Sequence, residues 1–100
     1  MRSTINFDRI SAAALRCSDL IVQRWLPTGR RKGREWVALN PRRADKRTGS
    51  FKVNLATGRW SDFATGDAGG DLISLAAYLF SISQGEAARR VAVMLGLPME

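Results

Sequence analysis

The side chains of this chain that could do chemistry are mostly basic, and they are concentrated in its middle third. The 100 residues include 16 Lys and Arg against 9 Asp and Glu, a formal net charge of +7. Between residues 30 and 59, only Glu35 and Asp45 oppose a dense set of cations. The set consists of Arg30, Arg31, Lys32, Arg34, Arg42, Arg43, Lys46, Arg47, Lys52 and Arg59. This concentration predicts a phosphate-binding surface, and the alternative is a solvated basic face without a partner.

The residue types that are missing exclude other chemistry. The sequence has no histidine, and Cys17 is its single cysteine. It therefore cannot form an internal disulfide, a Cys/His zinc site or a nucleophile activated by histidine. Asp62, Asp67 and Asp71 lie close in sequence, but nothing in their spacing shows that they converge on metal ions as two-metal catalysis requires. We expect no catalytic residues, no metal and no cofactor in this chain.

Aromatic side chains determine whether bases could be stacked as well as phosphates bound. Trp60 and Trp36 are candidate stacking platforms, and we include Trp60 among the predicted nucleic-acid-binding residues. Tryptophan in a small sheet more often belongs to the core, so packing is the favoured interpretation for both. Phe51 and Phe63 are weaker stacking candidates.

The elements that position these residues begin with a helical segment. Apolar residues recur at helical spacing from Asp8 to Leu26, which predicts one bent helix or two short ones ended by Pro27 and Gly29. Cys17 lies on the apolar stripe, which favours a buried structural thiol over a reactive one.

The middle of the chain predicts a small antiparallel sheet of three strands. Apolar alternation indicates strands at 34–39, 51–55 and 59–63. A basic turn at 28–33 precedes them, and a polar loop at 40–49 separates the first two. The hairpin between the second and third strands ends at Gly58, which suits the left-handed position.

Two helices follow the sheet. The segment 65–70 reads as a glycine-rich turn, and Asp71 can cap a helix that is apolar round most of its circumference. This turn lacks the lysine of a nucleotide-binding loop, so turn plus cap is preferred to a phosphate cradle. Ser83 and Glu86 form a capping box for the last helix, where Glu86 can pair with Arg90. The order predicts an α+β fold.

Composition sets the wider context. Hydrophobic residues make up 45% of the sequence, which suits one folded domain spanning residues 1–100. No apolar run approaches the length of a membrane span, and the first residues lack the apolar core of a signal peptide. We expect a cytoplasmic protein without membrane contact.

Four short motifs follow one another between residues 40 and 73. They are Asn40-Pro41-Arg42-Arg43, Gly49-Ser50-Phe51-Lys52-Val53, Asp62-Phe63-Ala64-Thr65 and Gly70-Asp71-Leu72-Ile73. This order resembles the zinc-ribbon domain of DnaG-type primases and of phage or plasmid primase-helicases. That family carries Cys-Pro-x-His, Pro-Ser-Phe-x-Val, Cys-Phe-x-Cys and then Gly-Asp before a helix. The resemblance covers about three-quarters of the chain.

The resemblance also shows where this chain departs from the family. The four ligand positions hold Asn40, Arg43, Asp62 and Thr65, none of which supplies a thiolate or an imidazole. We therefore predict a metal-free ribbon in which an aromatic core replaces the metal, with Asp62 and Arg43 pairing across the vacated site. That core consists of Trp36, Phe51, Trp60 and Phe63 packed against Leu72, Leu75 and Leu79.

The resemblance implies a function as well. In that family the domain contacts single-stranded template, while a separate domain joins nucleotides. We expect a nucleic-acid-binding accessory module of a phage, plasmid or mobile-element primase, which contacts single-stranded DNA during replication priming. Its partner would be a primase or helicase catalytic domain or protein. The alternative is a protein-interaction domain of a replication complex with no DNA binding of its own.

Overall fold

Two helices, a sheet and two further helices follow one another along the chain, which confirms the α+β class. The computed structural model describes residues 5–42 and 49–97. The helices are α1 (Phe7–Leu15), α2 (Ser18–Trp25), α3 (Leu72–Phe80) and α4 (Gln84–Met94). The strands are β1 (Arg30–Lys32), β2 (Glu35–Ala38), β3 (Phe51–Asn54), β4 (Trp60–Asp62) and β5 (Ala68–Gly69). Within the described ranges, no helix is both long enough and apolar enough to cross a membrane.

The N-terminal segment forms two short helices rather than one bent helix. The side chain of Asn6 caps α1 by accepting a hydrogen bond from the Arg9 N–H. Cys17 leaves the helical conformation at φ −127° and ψ 36°, which separates α1 from α2. The Cys17 side chain is half-buried and donates to the Ala13 carbonyl at 3.7 Å, which fits a structural thiol.

The sheet has five strands, so the predicted three-stranded sheet is wrong in its extent. All neighbours pair antiparallel in the chain order β1-β2-β3-β4-β5. β2, β3 and β4 lie within the predicted strands. β1 falls in the segment predicted as a basic turn, and β5 falls in the predicted glycine-rich turn. Both added strands lie at the edges of the sheet. β1 consists of three exposed basic residues and β5 of two small residues, so neither shows the apolar alternation that predicts a strand.

One face of the sheet packs against the helices and the other does not. Strand register places Trp36, Val53 and Trp60 side by side on the inner face, in one core cluster with apolar residues of all four helices. The indole N–H of Trp36 donates to the Leu26 carbonyl at 3.0 Å. The indole N–H of Trp60 donates to Ser74 Oγ on α3 at 2.9 Å. We call the opposite side the outer face.

The predicted aromatic core is confirmed for three of its four members. Trp36, Phe51 and Trp60 are buried, but Phe63 is 74% exposed. Because successive side chains of a strand alternate between faces, Phe63 follows the inward-facing Asp62 and points outward. The expectation that Phe63 packs into the core is therefore wrong.

The helix starts follow the predicted caps. Asp71 accepts from the Ser74 N–H at 2.8 Å, and Ser74 Oγ reaches back to the Asp71 N–H, which completes a capping box on α3. Ser83 caps α4 through the Glu86 N–H, but the Glu86 side chain pairs with Arg90 at 3.0 Å and does not complete the predicted capping box. Helix α1 packs against both α3 and α4, so the two ends of the chain share one helical layer.

Candidate nucleic-acid interface

Four of the predicted basic residues share the outer face of the sheet. Arg30 and Lys52 are both register partners of Val37, one from each side, and Lys32 is the partner of Glu35. Arg59 immediately precedes the inward-facing Trp60, so its side chain lies on the outer face. We call this set the outer-face cations: Arg30, Lys32, Lys52 and Arg59. All are exposed except Lys52, which is half-buried.

A shallow groove crosses the outer face between these cations. Its basic lining residues are Lys52 and Arg59, and Glu35 is the acid that lines it. The remaining lining residues are small or uncharged: Asn54, Trp60, Ser61, Ala68, Gly69 and Gly70. Small residues keep the floor low, so a phosphate backbone can approach the sheet closely while two cations flank it. This arrangement can bind an extended anion without reading its sequence.

Phe63 stands at the end of the same face. Its backbone N–H donates to the Ser50 carbonyl at 3.0 Å, which extends the β3–β4 ladder by one residue. The ammonium of Lys52 lies 5.8 Å from the centroid of its ring. The face therefore combines cations with an exposed aromatic ring.

The other predicted basic residues do not join the outer-face cations. Arg31 and Arg34 line a separate depression near the start of α2, where Asp19 partly balances them. Arg42 lies against α3, with its guanidinium 5.1 Å from the Tyr78 ring centroid and 3.2 Å from the Tyr78 carbonyl oxygen. Three predicted residues lie outside the described ranges: Arg43, Lys46 and Arg47.

Trp60 occupies the core and not the exposed surface. It is 5% exposed, and its ring lies 4.7 Å from that of Tyr78. A Cβ added to Gly69 would meet the Trp60 indole and Ser74 Oγ, which shows how closely the β5 backbone covers the ring. The core interpretation of Trp60 and Trp36 therefore fits the structure, which presents neither ring face for stacking on a base.

Two of the residues at the ligand positions of the resembled family, Asn40 and Asp62, meet in a buried polar cluster. Asn40 and Asp62 are both 0% exposed, and the Asn40 amide donates to Asp62 Oδ2 at 2.8 Å. The same amide donates to the Tyr78 hydroxyl at 2.8 Å. Asp62 Oδ1 accepts from the Ala64 N–H at 2.8 Å. The cluster thus joins the end of β2, the end of β4 and the middle of α3.

The cluster continues to the surface through Asp67. The Tyr78 hydroxyl donates to Asp67 Oδ2 at 2.9 Å, and Thr65 Oγ1 donates to the same oxygen at 3.0 Å. Burial raises the pKa of the Tyr78 hydroxyl, and the negative charges of Asp67 and Asp62 raise it further, against the lowering effect of the hydrogen bond from Asn40. Tyr78 therefore stays protonated at neutral pH and acts as a donor to Asp67.

These residues do not fit a structural zinc ion. Such a site takes four thiolate or imidazole ligands, whereas the Asn40 amide uses its N–H groups as donors toward Asp62 and Tyr78. Thr65 is exposed and bonds to Asp67. Over residues 5–42 and 49–97, no three His, Cys, Asp or Glu side chains group as a metal site would require. The predicted Asp62–Arg43 pair involves a residue outside the described ranges.

The three carboxylates at the end of β4 and before α3 each make different structural hydrogen bonds. Asp62 is buried in the polar cluster, Asp67 accepts from Tyr78 and Thr65, and Asp71 caps α3. The predicted cap at Asp71 therefore agrees with the structure, whereas part of the predicted turn before it forms β5.

Sequence reasoning missed two residues of this region. Tyr78 lies in a helix that reads as apolar, and its signal was that it is the single tyrosine of the chain, with a hydroxyl that burial obliges to find a partner. Phe63 was assigned to the core, although the alternation of β4 already placed it outward.

Comparison with known proteins gives a match of fold. No protein-family model matches the chain, and no curated protein sequence matches it. Among solved structures, the crystal structure of the Aquifex aeolicus primase, described by its zinc-binding and RNA polymerase domains, matches with a TM-score of 0.77 at 22% sequence identity. The match covers 97% of this chain and 23% of the primase chain, so this chain spans less than a quarter of that length. This chain therefore has the fold of part of a primase.

Proposed function

We propose that this chain is a nucleic-acid-binding accessory module of a primase, which contacts single-stranded DNA template while another domain or chain joins nucleotides. The observation that carries the proposal is the basic groove on the outer face of a fold shared with a primase. The motif order described above supports a phage, plasmid or mobile-element setting, and a cytoplasmic location would follow from a role in replication. The proposal assigns the module no catalytic role of its own, and it is supported by the structural hydrogen bonds that Asp62, Asp67 and Asp71 make.

The charge of the outer face supports binding to a phosphate backbone. Each phosphate contact to a single strand contributes about −0.7 to the slope of log affinity against log salt. Four contacts from the outer-face cations would therefore give a slope of about −2.8. Contacts from the loop residues Arg43, Lys46 and Arg47 would make the slope steeper.

The proposal includes a ribbon without zinc. The cluster of Asn40, Asp62 and Tyr78 links the ends of β2 and β4, where the family has ligand positions, and it adds a connection to α3. Hydrogen bonds to a buried charge stabilise a fold more than hydrogen bonds between neutral groups, so the cluster can supply part of the stability that a metal would provide. Metal analysis of the purified protein tests this point, and stoichiometric zinc would contradict it.

The main test is titration of labelled single-stranded DNA at several salt concentrations. In the first variant, the four outer-face cations are changed to Gln. We expect the affinity at low salt to fall and the salt slope to become shallower by about 2.8. A matched control changes to Gln four exposed cations that lie outside the sheet: Arg9, Arg16, Arg24 and Arg89. A further variant changes the loop cations Arg42, Arg43, Lys46 and Arg47 to Ala.

The outcomes separate the proposal from simple charge neutralisation. Similar losses in the outer-face variant and the helix control would mean that only net charge matters. The proposal fails if the wild-type protein does not bind single-stranded DNA at low salt. It also fails if neither the outer-face set nor the loop set changes the affinity.

A second candidate function is protein interaction within a replication complex, with no DNA binding of its own. It is favoured by a groove along α4 that combines apolar residues with a basic rim. Val93 is 73% exposed and Met94 lies beside it, while Arg24 and Arg90 border the groove. This chemistry suits an acidic amphipathic helix of a partner. A synthetic Leu/Glu amphipathic peptide should bind the wild type and not a Val93→Glu variant, and indifference of both proteins to the peptide would remove this candidate.

A further inference from the structure

Phe63 has no structural task that would explain a large apolar side chain at its position. It is 74% exposed, and its ring does not belong to the core cluster or to the residues packed against it. Its backbone is nevertheless held firmly. The Phe63 N–H donates to the Ser50 carbonyl, and the next two residues of the turn bond back to Asp62. A rigid backbone therefore presents an exposed aromatic ring to solvent.

The surroundings of Phe63 are those of an anion-binding surface. Lys52 lies 5.8 Å from the ring centroid and lines the outer-face groove. Arg59 also lines the groove, and Phe63 lies four residue steps further along the strand, or about 13 Å at 3.3 Å per residue. A flexible polyanion that follows the groove from Arg59 past Lys52 would therefore reach the Phe63 ring.

We propose that Phe63 is a base-stacking platform at the end of the groove and that Lys52 holds the phosphate beside the stacked base. This inference rests on the proposed function, because it requires single-stranded nucleic acid on the outer face. In the free protein the ammonium of Lys52 lies near the aromatic ring. When the strand binds, a phosphate offers that ammonium a stronger charged partner, and the ring becomes available to a base.

The chemistry selects a single strand over a duplex. Bases in a duplex are already stacked on each other, so Phe63 could gain contact only by disrupting that stack. Unpaired bases lose nothing by stacking on an aromatic side chain, and every base offers a flat face. Phe63 therefore adds affinity for single strands and little sequence preference.

The experiment compares Phe63→Ala with wild type on two oligonucleotides of equal length, one with all its bases and one abasic. For the strand with bases we expect Phe63→Ala to weaken binding by roughly 5- to 150-fold, the equivalent of about 1–3 kcal/mol. For the abasic strand we expect no difference between the two proteins. The salt slope should stay unchanged, because no cation is removed.

Two further variants separate stacking from other effects. Phe63→Leu keeps an apolar side chain without a ring and should lose most of the same affinity, whereas Phe63→Trp should retain it. Phe7→Ala, at another exposed phenylalanine far along the chain on α1, serves as the control. The Phe63 variants should unfold at the same midpoint temperature as the wild type, because the ring is not part of the core.

The possible results distinguish this inference from the proposed function. If the wild type binds both strands with a salt slope near −2.8 and Phe63→Ala binds them equally well, the stacking proposal is overturned and the module function stands. Binding by Phe63→Leu at the wild-type level would overturn stacking as well. If the wild type binds neither strand at low salt, both proposals fail.

Discussion

Replacing Asp62 by alanine tests whether the buried polar cluster stabilises the fold. The carboxylate is fully buried and accepts hydrogen bonds of 2.8 Å from the Asn40 amide and from the Ala64 N–H. A hydrogen bond to a charged group contributes about 1.5–3 kcal/mol, and removing the carboxylate also takes one acceptor from the fully buried Asn40 amide. From these two bonds we expect Asp62→Ala to lower the free energy of unfolding by about 3–5 kcal/mol.

A loss of that size would be large for a chain of this length. The free energy of unfolding of a small domain is about 5–15 kcal/mol, and each kcal/mol that is lost lowers the midpoint temperature of thermal unfolding by about 4–8 °C. The assay is urea unfolding followed by tryptophan fluorescence, since Trp36 and Trp60 both lie in the core.

The matched control is Asp67→Ala. Asp67 belongs to the same cluster and accepts from Tyr78 and Thr65, but its side chain is exposed, so water can replace the lost bonds. We expect a loss of less than about 1 kcal/mol for this variant. Equal losses at the two positions, or a loss below about 1 kcal/mol at Asp62, would refute the argument that the burial of Asp62 makes its hydrogen bonds stabilise the fold.

Three further predictions concern the same region. Gly69→Ala should destabilise the protein by about 1–3 kcal/mol in urea unfolding, because the new Cβ meets the Trp60 indole. Gly70→Ala, which meets no atom within 4 Å, should stay near wild type, and equal effects would contradict close packing at β5. Tyr78 should form tyrosinate at higher pH in the folded than in the urea-unfolded protein, measured by its ultraviolet absorbance. A raised pKa stabilises the fold fully below the unfolded value near 10, and this contribution is lost as pH rises through the folded value, so a lower folded pKa would refute the account. Restoring the family's ligands should create a site for one zinc ion per chain, measured by metal analysis after dialysis, and no uptake would show that the four positions do not converge. The changes are Asn40→Cys, Arg43→His, Asp62→Cys and Thr65→Cys.

The parts of the fold that sequence predicted are those with apolar periodicity or a capping residue. Strands β2, β3 and β4 alternate, and helices α3 and α4 begin at Asp71 and Ser83. The edge strands lack both signals. Every side chain of β1 is exposed, so no apolar alternation in the sequence indicates its pairing with β2. The position of β5 depends on the fit between Gly69 and the Trp60 indole, which becomes visible only in three dimensions.

The candidate site was only partly predictable for related reasons. Charge density indicated a basic surface, but strand register decides which cations share a face, and it separates Lys32 from Arg31. The pairing of Asn40 with Asp62 joins positions 22 residues apart, and no local pattern encodes it. The family resemblance brought these positions together, whereas Tyr78, which completes the cluster, lies outside the motifs.

The packing of α1 against α3 and α4 has a consequence for how the chain folds as it is synthesised. Each strand of the sheet pairs with its neighbour in sequence, so the meander can form hairpin by hairpin as it leaves the ribosome. The apolar side chains of α1, Ile10 and Ala14 among them, are fully covered only when both α3 and α4 have emerged. Helix α1 is therefore made well before its partners in the helical layer, and its apolar stripe must be kept from aggregating until α4 follows.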